Sequence, residues 1–379
     1  MVNASAADKN VPQSARRSSP VIRDGHDNFF TPLRLLFAVL VLVGHAVIIG
    51  TRDTGAEPRI ILHFTFSYLA VNMFFIASGF LVTKSMVFRG DLPSFVSARV
   101  LRIFPALGIH VLFVMLIIGP LATNLPLSQF FTSPDWYLQP LKVLSFTDTD
   151  MTMPGIFSTN DEPYGSVPLW TLRYEVMAYV GTLVVFALGL LRRKWMVLAQ
   201  FVLPSIGWVL FAHFGMLDDL PPTVMNVLRF GIAYGLGATL YAYRDRFRFG
   251  WLSLAGLVAL CFVFRETHVL EVLMNGILAW FVFRIAYGTW PQLTFLQKLP
   301  DLSYGIYIYH WCVLQLLFYR LPDISVPVLI ASALVISTVL AAASWYLIEK
   351  PALRSKASFS DWLRRGHIVR KPVGELLRD

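Results

Sequence analysis

Charge is scarce in this chain, and that scarcity decides its class. Asp, Glu, Lys and Arg make up 15% of the 379 residues and hydrophobic side chains 56%, whereas soluble domains carry about 25% charge. With a mean hydropathy of +0.60, this excludes an ordinary soluble globule and leaves a polytopic protein of the lipid bilayer. Cysteine is almost missing. Cys261 and Cys312 both fall inside apolar segments, which argues against a disulfide framework or a cysteine-held metal. Zinc-ligand spacings, Walker loops and nucleophile elbows are lacking too, so no metal and no tightly bound cofactor are expected. A secretory leader is also lacking: Met1 to His26 is polar, carries Arg16, Arg17 and Arg23, and has no apolar core. Residues 1–28 read as a disordered cytoplasmic tail.

Long apolar runs are what the chain has in abundance. They span Pro32–Ile49, Phe64–Phe88, Val100–Leu121, Leu169–Leu191, Trp195–Phe214, Val224–Tyr243, Trp251–Phe264, Val269–Tyr287, Leu302–Tyr319 and Val326–Leu347. The pattern predicts an all-α, polytopic transmembrane helical bundle of about ten helices, most reaching the roughly 20 residues that a crossing needs. Trp251–Phe264 falls short and reads as starting earlier or lying tilted and re-entrant. Basic loops alternate with acidic or mixed ones. Arg89, Arg99 and Arg102 follow the second run, Arg192, Arg193 and Lys194 the fourth, and Arg244, Arg246 and Arg248 the sixth. Lys350, Arg354, Lys356, Arg364 and Arg365 follow the last. The positive-inside rule then puts both termini in the cytoplasm. The net charge of +9 is thereby topological and implies no nucleic-acid partner. The membrane domain is expected over residues 29–353 and a basic cytoplasmic tail over 354–379. One long loop, Ala122–Val167, reads equally well as a folded cap or as a passive connector.

Orientation turns sequence position into depth. Arg34 and His45, eleven residues apart, share a helix face within about 20° and lie about 16 Å apart along the axis. His45 therefore sits near mid-membrane, where an ionisable group marks a functional site unless a neighbouring helix merely satisfies it. Glu175 is expected about 10 Å below the outer surface, level with His45, and would orient the imidazole and stabilise its protonated form. Arg173 competes for the same carboxylate. Near the inner helix ends, Arg34, Arg99, Arg102, Lys84 and Lys350 form a basic mouth suited to a phosphate-bearing ligand, although each alone is an ordinary positive-inside residue. Between the two layers lie Asn72, Ser78, Tyr304, Tyr307 and His310. Ser78-Gly79 also permits close helix approach, and the two tyrosines equally suit an interfacial belt.

These residues lie in a set of segments that resembles the acyltransferase 3 family of integral-membrane acyltransferases. The likeness covers most of Phe29 to Leu353. It rests on Arg34 with His45, FFIASGFL, ARVLRIFP with Arg99 and Arg102, LWTLRYEVMAY with Trp170 and Glu175, SYGIYIYHW, and YLIEKP. Where the family has serine after the tryptophan, this chain has Thr171, which keeps a hydroxyl. The resemblance implies a stand-alone acyl-CoA-dependent O-acyltransferase of the bacterial inner membrane. It would transfer acetyl or another acyl group to a hydroxyl of a surface glycan or lipid-linked glycan. His45 would be the catalytic base and Glu175 would support it. Arg34, Arg99 and Arg102 would bind the donor, and Ser78, Trp170, Tyr304, Tyr307 and His310 would line the supporting or acceptor region. A small cytoplasmic product such as a macrolide is the runner-up acceptor. A proton-coupled transporter is the reading from another class, and the lack of paired Gly/Pro-broken helices makes it the poorer fit. No oligomeric state follows from the sequence.

Overall fold

The computed structural model describes residues 28–365. Ten long helices follow one another at the ten apolar runs. They are α1 Phe30–Thr51, α2 Phe66–Arg89, α3 Leu92–Phe113, α4 Trp170–Ala187 and α5 Lys194–His213, then α6 Pro222–Ala242, α7 Trp251–Val263, α8 Val269–Ala286, α9 Ser303–Arg320 and α10 Val326–Ser344. Strand among the described residues is confined to a two-stranded ribbon, Arg59–Ile61 with Phe64–Thr65, and an isolated bridge from Thr123 to Ile156. The protein is an all-α, multi-pass helical bundle. The expected tail over residues 1–28 lies, but for Asn28, outside the described residues, as does the chain after residue 365.

Among the described residues six helices are long and apolar enough to cross a bilayer alone: α1, α2, α3 continued to Ala122, α5, α8, and α10 continued to Arg354. The four others fail for different physical reasons. α7 has 13 residues, about 20 Å of helix against an apolar slab of about 30 Å. α6 and α9 carry too many polar groups to face lipid all round, but those groups are buried. Asn226 and Thr239 on α6, and Ser303, His310 and Gln315 on α9, all turn inward. A helix wrapped by other helices needs no lipid-compatible surface. α4 carries Arg173 and Glu175 in its first two turns for the reason given below.

Two ends of the bundle can be told apart by contact. Arg34 of α1, Arg102 of α3, Asp301 before α9 and Glu349 after α10 meet at one end, the arginine end. At the other, Arg52 after α1 and Gln315 of α9 meet the segment between α3 and α4. That segment is a folded cap, the first of its two sequence readings. It holds the short helices Leu127–Thr132 and Pro134–Leu144 and buries Phe130, Met151 and Phe157 completely. Its last turns are tied down by side chains. Trp311 Nε1 donates to the Tyr164 carbonyl at 2.9 Å, Gln315 Nε2 to the Glu162 carbonyl at 2.8 Å, and His110 Nε2 pairs with Ser166 Oγ at 3.0 Å.

Close helix contact sets the inner packing. A side chain at Gly79 would meet the Tyr234 carbonyl, and one at Gly237 the Ile76 carbonyl, so α2 and α6 touch backbone to backbone. Two π turns interrupt the ladders, Val114–Ile118 in the continuation of α3 and Trp345–Glu349 after α10. The second delivers Glu349 to the arginine end.

Candidate active site

At the arginine end five helices enclose a cavity of about 110 Å³. Arg34 enters from α1, Ser78 from α2, Arg99 and Arg102 from α3, Glu175 and Tyr179 from α4, and Tyr304 and Tyr307 from α9. Seven of these eight are expected site residues; Tyr179 is the addition. The mouth is less basic than the sequence implies. Arg34 Nη1 and Arg102 Nη2 both donate to Asp301 Oδ2, at 2.6 and 2.7 Å, and Arg102 Nη1 lies 3.6 Å from Glu349 Oε2. Burial pushes the Asp301 carboxyl up, but Arg102 and Arg34, with the Ser303 hydroxyl and amide, pull it further down, to about 2. Three guanidiniums thus face three carboxylates, counting Glu175. Arg99 is the exception: its guanidinium lies between the rings of Phe95 and Tyr179, and its buried Nε has no hydrogen-bond partner. Lys84 and Lys350, expected at this mouth, do not line it, and the Lys350 ammonium lies over the Tyr346 ring.

His45 belongs to a second centre. Its Nδ1 is 2.9 Å from Nε2 of His310, and the two rings stack with centroids 5.2 Å apart. Trp311 meets the His45 ring edge-on at 5.1 Å. The tautomers follow from the far end of the chain of bonds. His310 Nδ1 lies 3.1 Å from the Ile306 carbonyl, which can only accept, so that nitrogen carries the proton. Neutral His310 then offers a lone pair at Nε2, and His45 Nδ1–H must donate to it. His45 Nε2 is left unprotonated, with no hydrogen-bond partner among the described residues. That is the geometry of a general base held in one tautomer.

The expected pairing of His45 with Glu175 does not occur. Glu175 accepts a hydrogen bond from Tyr179 Oη instead, and Arg173, the competing partner, reaches the Thr147 carbonyl. The depth count failed because α4 does not begin at a membrane surface. Its first residues are buried beneath the cap, where the Pro168 carbonyl accepts from Tyr307 Oη at 3.2 Å. Counted inward from there, Glu175 lies about 10 Å further toward the arginine end, on the far side of Tyr307 from the histidines. Its place in α4 is thus set by the cavity it lines.

The remaining expected residues divide the two centres. Tyr307 closes the cavity toward the histidines, its ring 6.0 Å from His310 and 5.9 Å from Phe74. Thr171 Oγ1 shares a 2.7 Å hydrogen bond with Tyr307 Oη, so the hydroxyl at that position holds the tyrosine. Tyr304 Oη donates to the Ile103 carbonyl at 3.0 Å. Both tyrosines are buried, which removes the interfacial-belt reading. Ser78 lines the cavity while Gly79 makes the close contact, so both readings of that dipeptide hold. Trp170 packs on Phe230 and Tyr174 and does not line the cavity.

Sequence reasoning missed Asp301 and Glu349, the two carboxylates beside Arg102. Asp301 had a usable signal: it is a lone acid two residues before SYGIYIYHW, among otherwise basic loops. Asn72, expected between the two layers, belongs to a separate cluster whose other members, Arg229, Tyr68 and Glu271, were missed. Arg229 Nε donates to Asn72 Oδ1 at 3.2 Å, its guanidinium lies 3.5 Å from the centroid of the Tyr68 ring, and Asn72 Nδ2 reaches Glu271 at 3.3 Å. Among the described residues no group of three His, Cys, Asp or Glu side chains is arranged to hold a metal ion.

A family model described as an acyltransferase domain matches residues 28–347. Nodulation protein 10 of Rhizobium leguminosarum bv. viciae is 31% identical over 363 residues, covering 88% of this chain and 95% of that protein. The O-acetyl transferase of Shigella phage Sf6 is 25% identical over 334 residues, covering 85% of this chain and 95% of its own. No solved structure matches the chain.

Proposed function

The chain belongs to this acyltransferase family, classed with its acyl-CoA-dependent O-acyltransferases, and from that premise we propose that it carries an acyl group, acetyl first among the choices, from acyl-CoA to a hydroxyl of a glycan or lipid-linked glycan. The observation that carries the reading is the relay from the Ile306 carbonyl through His310 to His45, which leaves His45 Nε2 as the base. Nε2 takes the acceptor's hydroxyl proton, and the oxygen attacks the thioester carbonyl. The carbon–sulfur bond then breaks, and the departing thiolate takes the proton back from the imidazolium. The products are the ester and the free thiol.

The donor enters at the arginine end. Arg99, with no ion-pair partner there among the described residues and an unsatisfied buried N–H, binds phosphate, while Arg34 and Arg102 are held in place by Asp301. About 16 Å of α1 separates Arg34 from His45, a span suited to a donor whose charged end and reactive thioester are joined by a long arm. Tyr307 and Phe74 stand where that arm must pass. Glu175 orients Tyr179, whose ring lies beside the Arg99 guanidinium at the cavity wall. The alternation of basic loops supports a cytoplasmic arginine end and cytoplasmic termini. The relatives support a bacterial cytoplasmic membrane, with all ten helices, α7 tilted, in the lipid.

Substitution of His310 tests the relay. His310→Phe keeps the bulk and removes the acceptor for His45 Nδ1–H, so turnover should fall by about 10²–10³ with the donor KM unchanged, the cost of losing the tautomer. His310→Gln restores an accepting oxygen and should recover part of the loss, with a pH profile displaced from the parent's. Parental turnover in His310→Phe would remove the relay. Glu175→Gln provides the contrast. Its amide oxygen still accepts from Tyr179, so turnover per folded molecule should drop by less than about tenfold, with the pH profile unmoved. A loss of about two or more orders of magnitude, as expected on losing the relay, would return Glu175 to the reacting centre.

A further inference from the structure

The cap is not confined to the end of the bundle. Trp136, at the start of the helix Pro134–Leu144, donates from Nε1 to the Met115 carbonyl at 3.4 Å. Phe146, just past that helix, meets the Phe104 ring edge-on with centroids 6.1 Å apart. Met115 and Phe104 are eleven residues apart on α3 and its continuation, so the cap helix runs down the side of α3 for about 16 Å. Phe146 then reverses the chain at φ 57°. The returning segment climbs again: the Asp150 carbonyl accepts from the Ser166 amide, and the Pro154 carbonyl from the Thr123 hydroxyl at the far end of α3's continuation. Phe104 precedes His110 by six residues, which puts the tip of this hairpin about 9 Å nearer the arginine end. It is level there with Tyr304, whose Oη reaches the carbonyl of Ile103, the neighbour of Phe104.

The hairpin has two parts of opposite character. Tyr137, Leu138 and Leu141 share one side of its helix and are exposed, whereas Gln139 and Val143 are fully buried. On the neighbouring stretch of α3, Ile109, Leu112 and Leu116 are exposed as well, and both surfaces suit lipid tails. The tip is polar. Lys142 Nζ lies 3.9 Å from Asp148 Oδ2, with side chains 32% and 35% exposed, and Ser145 and Thr147 are exposed. Arg173 of α4 reaches the Thr147 carbonyl at 3.4 Å, and its buried Nε has no hydrogen-bond partner. Irregular backbone and part-exposed charges at this depth are tolerated against protein, water or a polar head, not against tails. The tip also borders the site. Ile103 and Leu172 line the arginine-end cavity, and the residues next to them, Phe104 and Arg173, are the ones that meet Phe146 and Thr147.

We propose that this hairpin is re-entrant in the bilayer and that its tip marks a lateral entrance, between α3 and α4, by which a lipid-tailed acceptor brings its hydroxylated head to the cavity. The proposal rests on the reading of the chain as a glycan O-acyltransferase and deepens it: the acceptor is an amphiphile held in the membrane, not a free saccharide. The two parts of the hairpin match the two parts of such a molecule. Tails stay against Tyr137, Leu138 and Leu141. Hydroxyls of the head donate to Asp148 and accept from the Arg173 guanidinium. The donor, a water-soluble thioester, uses the arginine end, so the two substrates arrive from different phases.

The test has two arms, both on the full-length protein. In lipid nanodiscs, nitroxides are placed singly by Leu138→Cys, Leu141→Cys, Ser145→Cys and Thr147→Cys; Cys261 and Cys312 are buried and do not compete for label. Collision with oxygen, which concentrates in lipid, is compared with collision with a water-soluble nickel chelate. The labels at Leu138 and Leu141 should favour oxygen, and those at Ser145 and Thr147 nickel. Nickel at the first pair would put the hairpin outside the bilayer, and oxygen at the second would remove the polar entrance; either result overturns the proposal. In the second arm, the protein in its own membranes receives acetyl-labelled acetyl-CoA, and label is followed into butanol-extractable lipid and into water-soluble glycan. Label should enter the lipid fraction in a His45-dependent way. Joining Thr147→Cys to Arg173→Cys with a short bismaleimide should lower that transfer by at least about tenfold relative to the unjoined pair, as for a blocked gate, with acetyl-CoA binding unchanged. His45-dependent label confined to water-soluble glycan, or equal transfer with and without the bridge, would overturn lateral entry and leave the enzyme reading standing. Label that ignores His45 marks failure of the enzyme reading itself, and the proposal falls with it.

Discussion

Replacing His45 by alanine should lower acyl transfer by about 10²–10⁴, the range for a positioned general base, while donor binding stays within a factor of two of the parent, an effect under about 0.5 kcal/mol. Two features of the site set these expectations. His45 is absent from the cavity wall that holds Arg34, Arg99 and Arg102, so its loss removes no donor contact. Its Nδ1 is committed to His310, so the nitrogen removed from the reaction is Nε2 and no other group stands in for it. His310 cannot substitute, since its one lone pair would be stranded behind the vacated site and its Nδ1 proton is engaged by Ile306. The measurement is acyl-CoA thiol release and ester formation per monodisperse molecule, with donor affinity from fluorescence of a CoA analogue. His45→Gln belongs in the same series, because its amide nitrogen can still donate to His310 while supplying no base. Transfer at the parental rate in either variant would end the catalytic assignment. A parallel loss of donor affinity would instead mean that the histidine centre and the arginine cavity are one site.

Arg102→Ala should be the most destabilising of the arginine substitutions, and Arg99→Ala the one most specific to the donor. Arg102 is shared by Asp301 at 2.7 Å and Glu349 at 3.6 Å, with side-chain exposures of 15%, 16% and 1%. Without it Asp301 keeps Arg34, but buried Glu349 keeps, among the described residues, only the Ser344 hydroxyl at 3.2 Å as a hydrogen-bond partner. Removing one partner of a buried ion pair costs about 3–5 kcal/mol because the other charge is stranded. Thermal unfolding in detergent should therefore register a large drop for Arg102→Ala, and Arg102→Ala with Glu349→Gln should recover part of it. Arg99 has ring neighbours and no ion-pair partner among the described residues. Arg99→Ala should unfold near the parent's temperature and raise the apparent donor KM with turnover held, the mark of uniform binding. The gap from the parent should narrow as salt rises, because screening weakens an exposed phosphate contact in the parent and the variant has less of it to lose. Equal stability of the two variants would mean that the Asp301 clamp contributes little.

How much of this was readable from the sequence depends on whether a residue's partner is local or distant. Helix positions were legible because apolar runs and Pro/Gly/Arg breaks are local signals, and all ten helices overlap their runs. The role of Arg34, Arg99 and Arg102 as neighbours was legible too, since helix ends of like orientation gather at one level. The partner of His45 was not. Helix periodicity says which face His45 occupies, yet choosing between Glu175 and His310 required knowing that α4 starts under the cap, a tertiary fact. Asp301 escaped for a related reason: a loop acid next to basic ends looks like ordinary surface charge until two arginines from remote helices are seen converging on one of its oxygens. The cap's fold was undecidable from composition, because what orders it is a set of side chains on α9 and α3 far along the chain.

The Asp301 clamp bears on how the protein is made. Arg34 and Arg102 are separated from their shared carboxylate by 267 and 199 residues. During synthesis α1 and α3 enter the membrane long before Asp301 leaves the ribosome, and for that interval their guanidiniums have no such counter-ion and are held by water or lipid phosphate. Arrival of the ninth helix brings Asp301 to both arginines and, at the same moment, His310 to His45. Both contacts therefore form late in synthesis. A nascent chain halted before Asp301 should be extracted and degraded as an unassembled membrane fragment, with no His310 to fix the tautomer of His45.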